Sequence, residues 1–296
     1  MRDGLLEVGV AMLAASAAIP GCGSGASPSA GATSVSHAER VAFSYEPYAD
    51  VLLEYVDARG RVDYAGLAAN AGDLEAFSAM LASLDPASLE TWSDDDKIAL
   101  WINAYNALTL EAIVGHYPIE ASVLRSVIYP KNSIRQIPGV WTDLRFRVMG
   151  TDLTLDEIEH RKLRGGFDEP RIHMALVCAA MSCPPLRWEP YSGEHLDVQL
   201  EDQTVRFLGS PDRFRLDRDA NRVELSPIFK WFGDDFIGAY EPSEGFEGRE
   251  PGERAVLSFI ASHLEGADRE YLESGRYEVE YLDYDWSLNE APEKER

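Results

Sequence analysis

The clearest periodicity in the chain lies between Ser93 and Gly115. Ile98, Trp101, Ile102, Tyr105, Leu108, Ala112 and Ile113 recur at the 3.6-residue spacing of an α-helix. Ser93-Asp-Asp-Asp96 ahead of them has the spacing of a capping box, and Gly115-His-Tyr-Pro118 behind them is a stop signal. Two further amphipathic helices are predicted over residues 43–57 and 71–84, joined by a Gly60-Arg-Val-Asp-Tyr64 connection. Residues 145–153 alternate about Gly150 as a hairpin does, and Thr154-Leu-Asp-Glu157 is a second capping box, opening a short helix to Leu163. Residues 171–182 read as a buried helix and 195–208 as another; 252–264 is a further helix, with short strands near 214–216, 223–225 and 277–282. No repeat or internal linker interrupts residues 43–289. The pattern therefore predicts one helix-rich α+β domain over 43–290, with a small amount of antiparallel sheet and a charged tail at 291–296.

Two of the apolar runs contain polar groups capable of chemistry. Trp101-Ile-Asn-Ala-Tyr-Asn106 places Asn103 and Asn106 three residues apart on one helical face. Arg171-Ile-His-Met-Ala-Leu-Val-Cys-Ala-Ala-Met-Ser-Cys-Pro-Pro-Leu186 carries His173, Cys178 and Cys183. A buried amide or imidazole without a partner costs a few kcal/mol, so these groups must be satisfied by a structural network or belong to a site.

Charge narrows the classes. A formal net charge of −24 over 296 residues argues against nucleic acid, whose phosphates would be repelled, and against direct electrostatic attachment to anionic lipid. The N-terminus suggests another route to a membrane. Residues 8–20 form an apolar, small-residue stretch of signal-peptide length, ending in Ile19-Pro-Gly-Cys22. That sequence resembles the bacterial lipobox, although Asp3 and Glu7 offset the expected positive start. The expected organisation is a lipoprotein signal peptide at 1–22, a Gly/Ser/Ala-rich tether at 23–42, and a bilayer anchor on Cys22 in the cell envelope. Lipidation of Cys22 would leave Cys178 and Cys183 as a pair able to form a disulfide in an oxidising compartment, provided the helix breaks near Pro184-Pro185.

The candidate chemistry stays open on the residues alone. On the 155–163 helix, Glu159 falls within the apolar face of Leu155, Ile158 and Leu163, whereas His160 falls about 130° from its centre. A carboxylate aimed at a core needs a partner, for which Arg164, Arg171 or a buried His qualify. A thiolate nucleophile needs a base and an orienting group. His173 and Cys178 lie about 140° apart on a helix and on opposite faces of a strand, so a Cys–His pair calls for a distant His such as His160 or His116. The Cys and His types suit zinc, but their spacing is loose and no second close ligand pair exists; neither metal nor cofactor is implied. Asp234-Asp235 reads as a helix start.

Taken together, Trp101–Thr109, Leu155–His160, Pro170–Leu186, Leu225–Trp231 and Tyr284–Asn289 resemble, in order, the family called domain of unknown function 547 (DUF547), in its bacterial exported form. The resemblance implies that Asn103, Asn106, Glu159, His160, His173 and Cys183 belong to the family signature, and it assigns them no role. Two readings follow. In one, the protein is a binding or scaffold module with Cys178–Cys183 as a disulfide and a buried polar cluster beside an acidic, aromatic-rimmed groove. In the other it is a thiol-dependent acyl-transfer or hydrolase-like enzyme, using Cys183 or Cys178 with His160 or His173, oriented by Glu159 or an Asn. The first is the conservative default. Its cost argument predicts that Glu159, His173 and one of Asn103 and Asn106 share a network, with Cys183 at its edge. Mass spectrometry of protein from its native host is expected to find a diacylated or triacylated Cys22 as the mature N-terminus. An unprocessed Met1 on soluble protein would contradict the anchor.

Overall fold

The computed structural model describes residues 43–292; the expected leader, the Cys22 anchor, the tether and most of the charged tail lie outside the described residues. The fold is helix-rich α+β, as the pattern predicts. It begins with α1 (Glu46–Tyr55), which buries Tyr48, Val51 and Leu52. The chain then reverses through Gly60, whose φ of +75° favours glycine. A Cβ there would lie 2.6 Å from the Leu186 nitrogen, so glycine also permits the close approach of the Pro185-Leu186 strand. The connection ends in a short helix not anticipated from the pattern, α2 (Tyr64–Ala69), which Asp63 caps by accepting from the Gly66 N–H at 2.8 Å. Next comes α3 (Gly72–Ser83), with Leu74, Phe77 and Leu81 inward.

At the centre is α4 (Asp94–Val114). Ser93 caps it by accepting from the Asp96 N–H, and three Asp in its first turn face the positive end of the helix dipole. Every residue from Ile98 to Leu110 is buried, so α4 is an axis enclosed on all sides rather than an amphipathic surface helix.

The predicted hairpin is present as β1 (Phe146–Val148) and β2 (Thr151–Leu153), paired Phe146 to Leu153. Met149 and Gly150 both take positive φ at its two-residue turn, as a type I′ connection requires. Thr154 then forms a complete capping box with Glu157 and opens α5 (Leu155–Glu157), which widens at once into a π-helical stretch, Ile158–Arg164.

One predicted helix is corrected here. Residues 171–182 are not helical; a single 3-10 turn (Pro170–Met174) gives way to irregular chain. Ala179 sits at φ +57°, and the backbone groups of this segment find partners far away in sequence. Met181 N–H donates to Ser287 O at 2.8 Å, Ser182 N–H to Asp285 O at 3.2 Å, and Asn289 N–H to Ala179 O at 3.1 Å. A helix would give up those long-range bonds.

The remainder runs through α6 (Leu196–Leu208), β3 (Phe214–Asp217), β4 (Arg222–Leu225), α7 (Pro227–Phe232), α8 (Ile237–Tyr240), α9 (Pro251–Ser262), α10 (Gly266–Glu273) and β5 (Glu278–Tyr281). The sheet is mixed rather than antiparallel throughout: β3–β4 is antiparallel, but β5 adds parallel to β4 with Val279 beside Val223. Two hydrophobic clusters result. One surrounds α4, and the other packs Phe229, Phe236 and Phe259 among α7, α9 and the β3–β5 sheet. The chain after β5 lies where they meet: Tyr284 packs against both clusters, Leu288 N–H donates to Asn132 O at 2.7 Å, and Val62 N–H donates to Asn289 O at 2.9 Å.

Candidate functional site

Asn103 and Asn106 are buried on α4, and each brackets a passing strand of irregular chain. Asn103 donates to Tyr191 O at 2.8 Å while its Oδ1 accepts from Tyr191 N–H at 2.9 Å. Asn106 donates to Ala175 O at 3.0 Å and accepts from Val177 N–H at 2.9 Å. Each side-chain amide thus replaces a stretch of β-ladder. The predicted network is corrected on this point: the two Asn are satisfied by backbone and do not join His173 or Glu159. Their work is to hold the 175–191 chain against the central helix.

The segment held by Asn106 delivers His173 and the two cysteines. Cys178 and Cys183 are joined in a disulfide, with Cα atoms 6.1 Å apart, and their sulfurs lie 3.2 and 3.1 Å from the Tyr284 hydroxyl. Neither sulfur is a thiolate in this state. Both cysteines, with Glu159, His160 and His173, line one cavity of about 260 Å³. Its walls are completed by Tyr105, Trp141, Trp231, Phe232, Tyr284 and Trp286, with Arg135 among them. Glu159 and His160 reach it from adjacent positions of the π-helical stretch.

A chain of charges borders this cavity. His160 Nε2 lies 3.2 Å from Asp156 Oδ1, and His160 Nδ1 lies 2.7 Å from the Arg164 guanidinium. An arginine only donates, so Nδ1 accepts and Nε2 carries the hydrogen that faces Asp156. Both nitrogens of His160 are therefore engaged. Arg164 also makes a bidentate bond to Asp235 at 2.5 and 2.8 Å, and Asp235 Oδ2 accepts from His173 Nε2 at 2.7 Å. His173 is stacked on Phe232 at 4.2 Å, and its Nε2 is held by Asp235. Burial opposes ionisation of Asp235, but its hydrogen bonds from His173 and Arg164, with the charge of Arg164, outweigh it and hold the carboxyl well below its ordinary range. Burial, reinforced by the Glu159 carboxylate, pushes the Tyr105 phenol well up; burial does the same to Tyr284.

The partners proposed for Glu159 fall elsewhere. Arg164 is taken by Asp235, and Arg171 by Glu169 and Asp197, while Glu159 lies beside the Tyr105 hydroxyl. His116 bonds Ala112 O at the end of α4 and does not line the cavity. Asp235 is no mere helix start but the joint between two site side chains. Arg135 and Trp141 escaped notice because nothing in their local pattern distinguishes them, and Trp231 stood out only as the end of a stretch that carries the family resemblance. Tyr284 and Trp286 did leave a signal, two aromatic residues in alternation in an otherwise polar stretch. Among the described residues no group of His, Cys, Asp and Glu is placed to hold a metal ion.

Comparison with known proteins bears on half of this site. Residues 89–208 match DUF547, a family described as a protein of unknown function. No curated protein and no solved structure matches the chain. The DUF547 segment supplies α4 with its two Asn, Glu159, His160, Arg164, His173 and both cysteines. Asp235, Trp231, Tyr284 and Trp286 come from chain beyond it.

Asp235→Asn is expected to lower stability at pH 7 by about 1–3 kcal/mol, the range for hydrogen bonds to a charged group. Because the folded carboxyl titrates below its unfolded value near about 4, its contribution is complete above that pH and is lost on acidification. Denaturant unfolding of both proteins at pH 7 and near pH 3 should show the gap narrowing; an equal gap at both would contradict the arrangement.

Proposed function

We propose that the protein is a cell-envelope lipoprotein, held to a bilayer through Cys22, whose DUF547-containing domain is a ligand-binding module. The observation that carries the binding reading is the convergence of Glu159, His160, His173 and the Cys178–Cys183 disulfide on one aromatic-walled cavity. Concave sites with apolar walls and a few fixed polar groups are where small molecules bind. The disulfide supports an oxidising compartment, in keeping with export.

The enzyme reading keeps one specific support. His173, oriented by Asp235, lines the same cavity as the sulfur pair, which is the arrangement a thiol nucleophile would need after reduction. Peptide-mapped thiol labelling separates the two. The module predicts no labelling of Cys178 or Cys183 in the native, unreduced protein, and labelling of both once it is reduced and unfolded. A thiol at either position that reacts in the native, unreduced protein would overturn the module and favour the enzyme.

A further inference from the structure

The cavity holds one charge that the protein leaves unanswered. Arg135 lies with its guanidinium carbon 4.0 Å from the Trp286 ring centre and 4.9 Å from that of Trp141, and its Nε is buried without a hydrogen-bond partner. No carboxylate among the described residues pairs with it. Other partly buried arginines are answered: Arg164, Arg171, Arg187 and Arg249 each bind at least one carboxylate, and Arg125, Arg206 and Arg213 donate to backbone carbonyls. In a chain with 51 acidic residues and 27 basic ones, a guanidinium packed on two indoles with neither a carboxylate nor a carbonyl for its side chain needs a cause. Its fork of donors is the shape that receives a carboxylate in two parallel hydrogen bonds.

The same cavity carries the opposite pole. Glu159 forms no close ion pair among the described residues; it bonds the Tyr105 hydroxyl, and Arg164 and Tyr284 lie near enough to feel its charge. Arg135 and Glu159 do not pair with each other, although both line the space between them. A simple anion would be repelled by Glu159 and a simple cation by Arg135. We infer that this cavity recognises a small zwitterion, its carboxylate on Arg135, its ammonium on Glu159 and an apolar body against Trp231 and Phe232. That is the chemistry of a free amino acid or the end of a short peptide. The inference rests on the binding-module reading and specifies its ligand class.

Calorimetric titration of the full chain with L-phenylalanine, 3-phenylpropionate and 2-phenylethylamine tests it. Phenylalanine should bind, and each analogue lacking one charge should bind at least about tenfold more weakly, as expected for losing a charged hydrogen-bonded contact. Arg135→Gln should weaken phenylalanine by a similar factor while barely changing the amine, and Glu159→Gln should do so while barely changing the propionate. Arg135→Lys, which keeps the charge without the fork, should fall between and serves if the Gln variant does not fold. Stronger binding of phenylalanine than of the dipeptides Gly-Phe and Phe-Gly would assign the site to free amino acids, and the reverse to peptide ends. Equal affinity for all three monomeric probes, or phenylalanine binding indifferent to Arg135→Gln, would overturn the inference. If neutral 2-phenylethanol bound as well as phenylalanine, and Trp231→Ala weakened it, the module would stand and only the zwitterion would fall. If no probe or dipeptide bound, both would fall.

Discussion

The amide of Asn106 is the interaction on which the site depends. It is buried on the most enclosed helix of the fold and presents one donor and one acceptor to a strand that has no sheet to join. An extended segment inside a protein must satisfy its backbone groups, and burying them unpaired costs on the order of 1–3 kcal/mol each. By taking Ala175 O and Val177 N–H, Asn106 lets the chain run irregularly between His173 and Cys178. Asn103 does the same for Tyr191, 13 or more residues further on, so that the loop carrying both cysteines is pinned at each end to one rigid axis. Small polar side chains on a buried helix thus build a site without belonging to it.

The electrostatics of the cavity follow from what this framework leaves exposed. Asp156, His160, Arg164, Asp235 and His173 saturate one another along one wall, alternating in charge and hydrogen-bonding role. This array joins Arg164 and His173 of the DUF547 segment to Asp235, which comes from the turn before α8. Arg135 and Glu159 stand outside these bonds, two charged groups lining the cavity without a close ion pair among the described residues. The aromatic groups contributed by the final described stretch, Tyr284 and Trp286, pack on each other at another side of the cavity, and the Tyr284 hydroxyl also contacts the disulfide.

Much of the fold could be read in the sequence wherever the cause was local. The α4 periodicity, the Thr154 capping box and the hairpin about Gly150 depend on neighbours a few residues away, and each stands where the pattern placed it. The 171–182 segment failed because its backbone partners lie on Asn106 and on residues 285–289, which no window of sequence contains. The parallel pairing of β5 with β4 is non-local in the same way. For the site, the argument from burial cost drew attention to Glu159, His173 and the cysteines, which line one cavity, and to the Asn pair, but it misjudged who satisfies whom. His160, placed off the apolar face by its helical phase, lines the same cavity as Glu159 all the same. Asp235 was hidden because a carboxylate at a helix start already has a sufficient local explanation.

Amide hydrogen exchange at Val177, compared between the wild-type protein and Asn106→Ala, tests the central claim most directly. If Asn106 is what holds the site segment, Val177 N–H in the wild type should exchange only with opening of the core. In the variant, exchange across residues 175–178 should accelerate by at least about tenfold while the α4 amides stay protected, as expected for a locally released segment. Unchanged protection at Val177 in a folded Asn106→Ala variant would contradict the account.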